Sequence, residues 1–198
     1  DKLKKQECVT IESLTQKKVM EKQPLLYDLT ELQKDANKQF KYSADHTLKV
    51  MQELYERYKI LSYPRTSSRY LSSDIAPKCP ELLSKVSGLA AFSDAIDLIK
   101  ANNYSMAKRM IDDKKVTDHH AIIPTDKTPN IGELPTDHTN IYLMVIRRFL
   151  SAFLPECEKS HTEIISTACN ETFKATGTII LKKGWRELYP QSDDKKDV

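Results

Sequence analysis

The segment from Arg57 to Ser73 contains the side chains that a nucleic-acid backbone site needs. It includes Lys59, Arg65 and Arg69 as well as Arg57 and has no acidic residue, so its local charge is +4. Guanidinium groups bind phosphate oxygens bidentately, hydroxyl groups donate to phosphate, and aromatic rings stack on bases. A solvated basic loop has the same composition, and composition alone leaves both interpretations open. The interleaved aromatic and hydroxyl side chains are Tyr58, Tyr63, Tyr70, Ser62, Thr66, Ser67, Ser68, Ser72 and Ser73.

The order of the residues around Tyr63 favours covalent chemistry. Tyr63 follows a predicted long helix and is followed by Pro64, which fixes a turn, and then by Arg65. A tyrosine phenol has a pKa of about 10 and is a poor nucleophile unless a cation stabilises the phenolate. Arg65 is placed to supply that cation and to stabilise charge on a phosphoryl group under attack.

Two motifs in this chain resemble those of a known enzyme family. The residues LSYPRTSSRYL at 61–71 are similar to the active-site tyrosine segment of type IA DNA topoisomerases, in particular the topoisomerase III branch. The residues TDHHAIIPT at 117–125 resemble the second motif of that family, at a compatible distance. The segment at 24–56 and the pair Gly184-Trp185 extend the resemblance over about residues 20–190.

The resemblance implies a role for several residues. Tyr63 is the expected nucleophile, which attacks a single-strand phosphodiester and stays joined to the 5′-phosphate, so that resealing needs no ATP. Arg65 is expected to contact the scissile phosphate, and His119 to form a hydrogen bond near it. Ser67 stands where the family has an aspartate that orients and charges this histidine, and a serine can form a hydrogen bond but cannot stabilise an imidazolium electrostatically. The expected DNA-binding residues are Thr66, Ser67, Arg69, His120, Arg57 and Lys59.

The resemblance also implies Mg²⁺ on an acidic triad of a separate Toprim domain. No two aspartates of this chain are two residues apart, so the D-x-D element of that triad is absent, and we expect the chain itself to bind no metal. The first residue is Asp rather than Met, which predicts a fragment of a longer enzyme. The expected partners are single-stranded DNA and the Toprim domain of the same polypeptide. The isolated chain is expected to bind DNA weakly and to cleave it poorly.

Two other functions compete with this interpretation. The helix at 44–59 could belong to a helix-turn-helix DNA-binding module without activity, but its mixed charges are weak for a major-groove reader. Asp118-His119-His120 also matches the motif of metal-dependent phosphoesterases, which need further Asp and His motifs that the chain lacks.

We expect a monomeric bacterial protein of the cytoplasm, associated with the nucleoid and not with a membrane, that serves relaxation or decatenation.

The hydrophobic pattern predicts the elements that position these residues. A strand is predicted at 6–20, a helix with a Thr30–Gln33 capping box, and a second helix capped by Ser43. The buried stripe of that second helix is predicted to be Ala44, Thr47, Leu48, Met51, Leu54 and Tyr55. Short helices are predicted near 81–87 and 94–101, the latter capped by Ser93, then a loop at 116–136 and a long helix from Asp137. Two strands joined by a turn at Asn170-Glu171 follow Pro155.

This order predicts an α+β fold in which a winged-helix-like or helix-turn-helix-like tyrosine domain is inserted into a small antiparallel β arch. The predicted domains are a discontinuous arch at 1–27 and 158–198 and a helical domain at 28–157. The chain has four glycines in 198 residues, and their spacing excludes the G-x-G-x-x-G and P-loop motifs. No apolar stretch reaches the ~20 residues of a membrane span.

Overall fold

A computed structural model describes residues 9–189 and confirms the α+β class. In the sequence of these described residues, all five α-helices come after the first strand and before the second strand of a three-stranded sheet. None of the helices in this part of the chain is long and apolar enough to cross a membrane. The strands are β1 (Thr10–Glu21), β2 (Cys157–Ala168) and β3 (Glu171–Lys182), and the helices are α1 (Leu29–Phe40), α2 (Ala44–Glu56), α3 (Cys79–Lys85), α4 (Ser93–Ala101) and α5 (Thr136–Ser151).

The chain forms two compact units. The described part of the first unit runs up to Lys22 and continues with Pro155–Arg186. The described part of the second unit comprises Gln23–Leu154 and the residues from 187 to 189. The predicted domains change between residues 27 and 28 and between residues 157 and 158, a few residues from these boundaries.

The first unit is the antiparallel sheet in the order β1-β2-β3. Ile164 in the central strand pairs with Leu14 of β1 and with Ala175 of β3. Cys169 and Asn170 both have positive φ, 51° and 66°, and form the tight turn between β2 and β3. Positive φ at both central positions is the geometry of a hairpin turn whose twist matches its strands. The predicted turn at Asn170-Glu171 is therefore wrong by one residue. The predicted strand at 6–20 starts at Thr10, and residues 6–8 lie outside the described residues.

Gly184 follows the sheet at a position that only glycine can occupy. Its φ is 53°, and a Cβ there would lie 2.5 Å from the carbonyl oxygen of Glu156. The next residue donates its backbone N–H to the Pro155 carbonyl at 2.9 Å. Glycine therefore lets the chain after β3 approach the start of β2 closely.

The second unit has a helical core in which α2 packs against α1 and α5. Ser43 caps α2 as predicted, by accepting from the His46 N–H. The Thr30–Gln33 capping box is wrong, because Asp28 is the N-cap of α1 and accepts from the Glu31 N–H at 2.7 Å. Ser93 is the first residue of α4 rather than its cap. The predicted inward residues of α5 are buried: Ile141, Tyr142, Val145, Ile146, Phe149 and, just beyond the helix, Phe153.

The buried stripe of α2 is only partly as predicted. Thr47, Met51 and Leu54 are fully buried, and Val50 joins them at 2% exposure. The predicted members Ala44 and Tyr55 are exposed, and Leu48 is half-buried. Partner helices on two sides shift the buried face by one residue and leave Tyr55 at its edge.

Candidate active site

Tyr63 lies in an extended segment that returns antiparallel to the histidine motif. The chain leaves α2 through Lys59, whose φ is 57°, and Ile60 donates its N–H back to the Leu54 carbonyl at 3.0 Å. Leu61 then forms an antiparallel bridge with Pro124. Residues 60–62 and 123–125 thus form a short ladder. The N–H groups of residues 62 and 125 donate to the carbonyls of residues 123 and 60 at 2.9 and 3.1 Å.

Two hydroxyl groups join the motifs on either side of Tyr63. Ser62 Oγ accepts from the Ile123 N–H at 3.0 Å. Thr66 Oγ1 donates to the carbonyl of His119 at 2.9 Å, although the two residues are 53 apart in the sequence. Thr66 is 7% exposed, whereas His119 is exposed. These contacts bring the tyrosine and histidine motifs together.

The ring of His119 lies against the ring of Tyr63. The two ring centroids are 4.2 Å apart with 40° between the planes. Tyr55, at the end of α2, contacts the same phenol ring edge to face, at 5.4 Å and 82°. Tyr63 is half-buried, and its hydroxyl makes no hydrogen bond to any residue from 9 to 189. The phenol is therefore held by its ring, while its oxygen has no protein partner within the described residues.

The predicted cationic and polar residues next to Tyr63 face outward. Arg65 and Ser67 are exposed, and neither forms an ion pair or hydrogen bond within the described part of the chain. Ser67 forms no hydrogen bond with His119 within the described residues, so the bond from the Thr66 hydroxyl to the His119 carbonyl and the Tyr63 ring are what position that histidine. The Arg65 guanidinium is accordingly available to an anionic ligand.

The other predicted DNA-binding residues divide into two groups. Arg57 and Lys59 are exposed, with the Arg57 guanidinium 5.1 Å from the ring of the next tyrosine. Arg69 is half-buried and donates through Nε to the Leu26 carbonyl at 3.2 Å. His120 is half-buried, with Nδ1 2.7 Å from the Ala121 carbonyl. The DNA contacts predicted for these residues stay predictions, and the exposed pair has the more accessible charge.

The chain is similar over its whole length to proteins of one family. The family model for DNA topoisomerase matches residues 1–198. This chain belongs to the DNA topoisomerase family. It is 42% identical over 189 residues to DNA topoisomerase 3 of Bacillus cereus (strain ATCC 10987 / NRS 248), covering 96% of this chain and 26% of that protein. It is 39% identical over 171 residues to DNA topoisomerase 3 of Bacillus subtilis (strain 168), covering 86% and 23%.

A solved structure shows the same fold. Full-length topoisomerase I from Thermotoga maritima matches with a TM-score of 0.66 at 18% identity, covering 92% of this chain and 30% of that one. The chain spans about a quarter of the length of the curated relatives it matches. Family membership confirms the resemblance to topoisomerase III that the two motifs predicted. It does not favour the helix-turn-helix regulator.

Residues 9–189 of this topoisomerase chain do not fit a magnesium site. Mg²⁺ in proteins takes carboxylate oxygens together with water or phosphate ligands. Within residues 9–189 there is no group of three or more His, Cys, Asp or Glu side chains that could hold a metal ion. The same finding gives no support to the alternative of a metal-dependent phosphoesterase.

Two residues near the site were not predicted from the sequence. Tyr55 was assigned to the core, because its spacing from Met51 fits a helical stripe. Lys115 places its Nζ 4.6 Å from the centre of the Tyr70 ring, and its carbonyl accepts from Ser68 Oγ at 2.9 Å. The adjacent residues Lys114 and Lys115, just before the histidine motif, are the feature of the sequence that could have predicted a second basic group there.

Proposed function

We propose that this chain carries the tyrosine part of a type IA topoisomerase active site, which cuts and reseals single-stranded DNA. The bond between Tyr63 Oη and phosphorus forms while the bond from phosphorus to the 3′-oxygen breaks. The phenol proton is lost, the leaving 3′-oxygen gains one, and the 5′-phosphate stays on the tyrosine. Resealing is the reverse reaction, so bond energy is conserved and no ATP is consumed.

The single observation that carries the proposal is the contact between the Tyr63 and His119 rings, 4.2 Å apart. It places His119, which can donate a hydrogen bond, beside a tyrosine whose hydroxyl has no partner among the described residues. We propose that His119 donates to a non-bridging oxygen of the attacked phosphate. Preorganised donors at such a position typically contribute about 10²–10³-fold to the rate.

Arg65 completes the proposed set of reacting groups. Its guanidinium is exposed and without an acidic partner in the described part of the chain, so its charge can meet the phosphate. We propose that it stabilises the charge that develops on the phosphoryl oxygens. With Arg57 and Lys59 it also supplies binding charge, and binding should then weaken with salt by about 0.7 log units per phosphate neutralised for each log unit of salt.

The magnesium ion that the family resemblance implies would be bound elsewhere in the polypeptide. The lack of a fitting residue group within 9–189 and the coverage of about a quarter of the relatives support this view. We propose that the Toprim domain of the same polypeptide holds the metal and that the chain alone cleaves inefficiently. We also propose a monomeric enzyme of the bacterial cytoplasm, associated with the nucleoid, that relaxes or decatenates DNA.

A covalent-adduct assay tests the proposal. In a chimera, this chain replaces the matching segment of the Bacillus cereus DNA topoisomerase 3. The chimera is incubated with 3′-end-labelled single-stranded DNA and Mg²⁺. The 3′ label is needed because the fragment that begins with the 5′-phosphate is the one that stays on the protein. We expect an adduct with the unaltered chain and none with Tyr63→Phe.

The control variant is Tyr104→Phe, a half-buried tyrosine of the same unit outside the site. It should form the adduct at the unaltered rate. An adduct that persists in Tyr63→Phe would exclude Tyr63 as the nucleophile. No adduct from an unaltered chimera with the helical content and melting temperature of its parent would refute the proposal as a whole.

A further inference from the structure

Tyr55 is a large aromatic residue on α2 that the core does not use. Its neighbours Met51 and Leu54 are completely buried, whereas Tyr55 is 37% exposed. Its hydroxyl makes no hydrogen bond to any residue between 9 and 189. Fold stability therefore does not account for an aromatic ring at this position.

The contact that Tyr55 makes is with the proposed nucleophile. Its ring meets that of Tyr63 at 5.4 Å between centroids and 82° between planes, a favourable edge-to-face geometry. A nucleophilic phenol cannot be oriented through a strong hydrogen bond from its own oxygen, because that oxygen has to attack. Its direction has to be set through the ring, and the two ring contacts of Tyr63 come from Tyr55 and His119.

The end of α2 is a firm support for such a contact. The Glu53 carbonyl accepts from the N–H groups of both Arg57 and Tyr58 at 3.0 Å, which closes the last turn. The Glu53 side chain lies 3.1 Å from Nε2 of His138, at the start of α5. Two elements of the same unit thus fix the turn that carries Tyr55.

We propose that Tyr55 is a positioning residue, whose ring holds the Tyr63 phenol in the orientation needed for attack. This inference rests on the proposed role of Tyr63. Misplacement of a reacting group by about 1 Å can cost about 10²-fold in rate. An edge-to-face pair is weak, so its loss tilts the population of ring orientations rather than abolishing the productive one. We expect a loss of about two- to tenfold in the rate of adduct formation.

The test compares Tyr55→Leu with the matched variant Tyr55→Phe, which keeps the ring and lacks the hydroxyl. In the chimera at saturating DNA, Tyr55→Leu should slow single-turnover adduct formation two- to tenfold and leave the Kd for single-stranded DNA unchanged. Tyr55→Phe should react at the unaltered rate. Tyr55→Met serves as a second ring-free variant if the leucine variant unfolds.

A spectroscopic measurement on the chain itself provides a readout independent of activity. The ring-proton resonances of Tyr63 should shift in Tyr55→Leu, because they lose the ring current of Tyr55, and should stay in place in Tyr55→Phe. Tyr55→Phe should melt at the unaltered temperature, and Tyr55→Leu should melt only slightly lower, because it loses one weak ring pair.

Three results would overturn the inference. Equal slowing in Tyr55→Phe would assign the effect to the hydroxyl, and a weaker Kd at an unchanged rate would assign Tyr55 to DNA binding. Unshifted Tyr63 resonances in Tyr55→Leu would show that the ring contact is absent. An adduct that survives Tyr63→Phe would instead contradict the proposed function, and the resonance shift would still report on the ring contact.

Discussion

Removal of the Ser62 hydroxyl should destabilise the helical unit by about 2 kcal/mol. Ser62 Oγ accepts from the N–H of Ile123 at 3.0 Å, and Ile123 is 3% exposed. In Ser62→Ala this amide loses its acceptor where water has little access, which costs about 1–3 kcal/mol. The 3.3 Å bond that Ser62 donates to the Ala121 carbonyl adds little, since that oxygen also lies 2.7 Å from His120 Nδ1.

Urea unfolding followed by far-ultraviolet circular dichroism measures this loss, because α1 to α5 all lie in this unit. The matched control is Ser87→Ala, which removes an exposed hydroxyl that donates to the Ser84 carbonyl at 2.6 Å. That variant should lose less than about 0.5 kcal/mol. A loss in Ser62→Ala no larger than the loss in Ser87→Ala would refute the view that this hydroxyl satisfies a buried amide between the two motifs.

Two further predictions concern ionic contacts, one in each unit. A bidentate hydrogen bond from Arg186 holds the pKa of Glu21 below its usual 4.5, so its stabilising effect is present above that pH and is lost as pH falls through the lowered pKa. Fluorescence of the chain's one tryptophan, followed as the pH is lowered, should show unfolding at a lower pH in the unaltered chain than in Glu21→Gln. Unfolding of both proteins at the same pH would contradict this. Tyr27→Phe removes a hydroxyl that donates to Asp35 at 2.7 Å and accepts from Arg148 at 2.9 Å. Urea unfolding should show that the free energy of unfolding falls by about 1.5–3 kcal/mol. An unchanged urea midpoint would argue against a stabilising role for these two hydrogen bonds.

The sequence predicts helices well where one local signal acts alone. Ser43 stands directly before the first residue of α2 and caps it, and the nearest carboxylate, Asp45, lies inside the first turn. At α1, both Asp28 and Thr30 can act as caps on local grounds. The structure selects Asp28 because the chain just before it is held by Ile122, whose N–H donates to the Tyr27 carbonyl at 2.8 Å. A partner almost a hundred residues away therefore decides where α1 begins, and no local pattern contains that information.

The same limit explains why the predicted burial of Tyr55 is wrong. A helical period can identify one buried face, but it cannot show where that face ends when two helices pack on it. Tyr55 falls at the boundary, and its contact with Tyr63 depends on the turn at Lys59, where φ is positive without a glycine. The chemistry proposed for the site rests on residue types and on a family resemblance. The ring contacts that orient it arise only once the chain has folded back.

Within the described residues, His119 has no hydrogen bond to a carboxylate of the kind that the family resemblance implies. Ser67 is exposed and uncharged, so the position of His119 depends on the 2.9 Å bond from Thr66 to its carbonyl and on the ring of Tyr63. Neither contact brings a full negative charge to the imidazole, as a carboxylate would. Under the proposed function, fixed positive charge at the phosphate then comes from Arg65, while Thr66 and the aromatic rings supply orientation. Orientation and charge are therefore supplied by different residues. A change at Thr66 should alter the orientation of His119, whereas a change at Arg65 should reduce the positive charge at the phosphate.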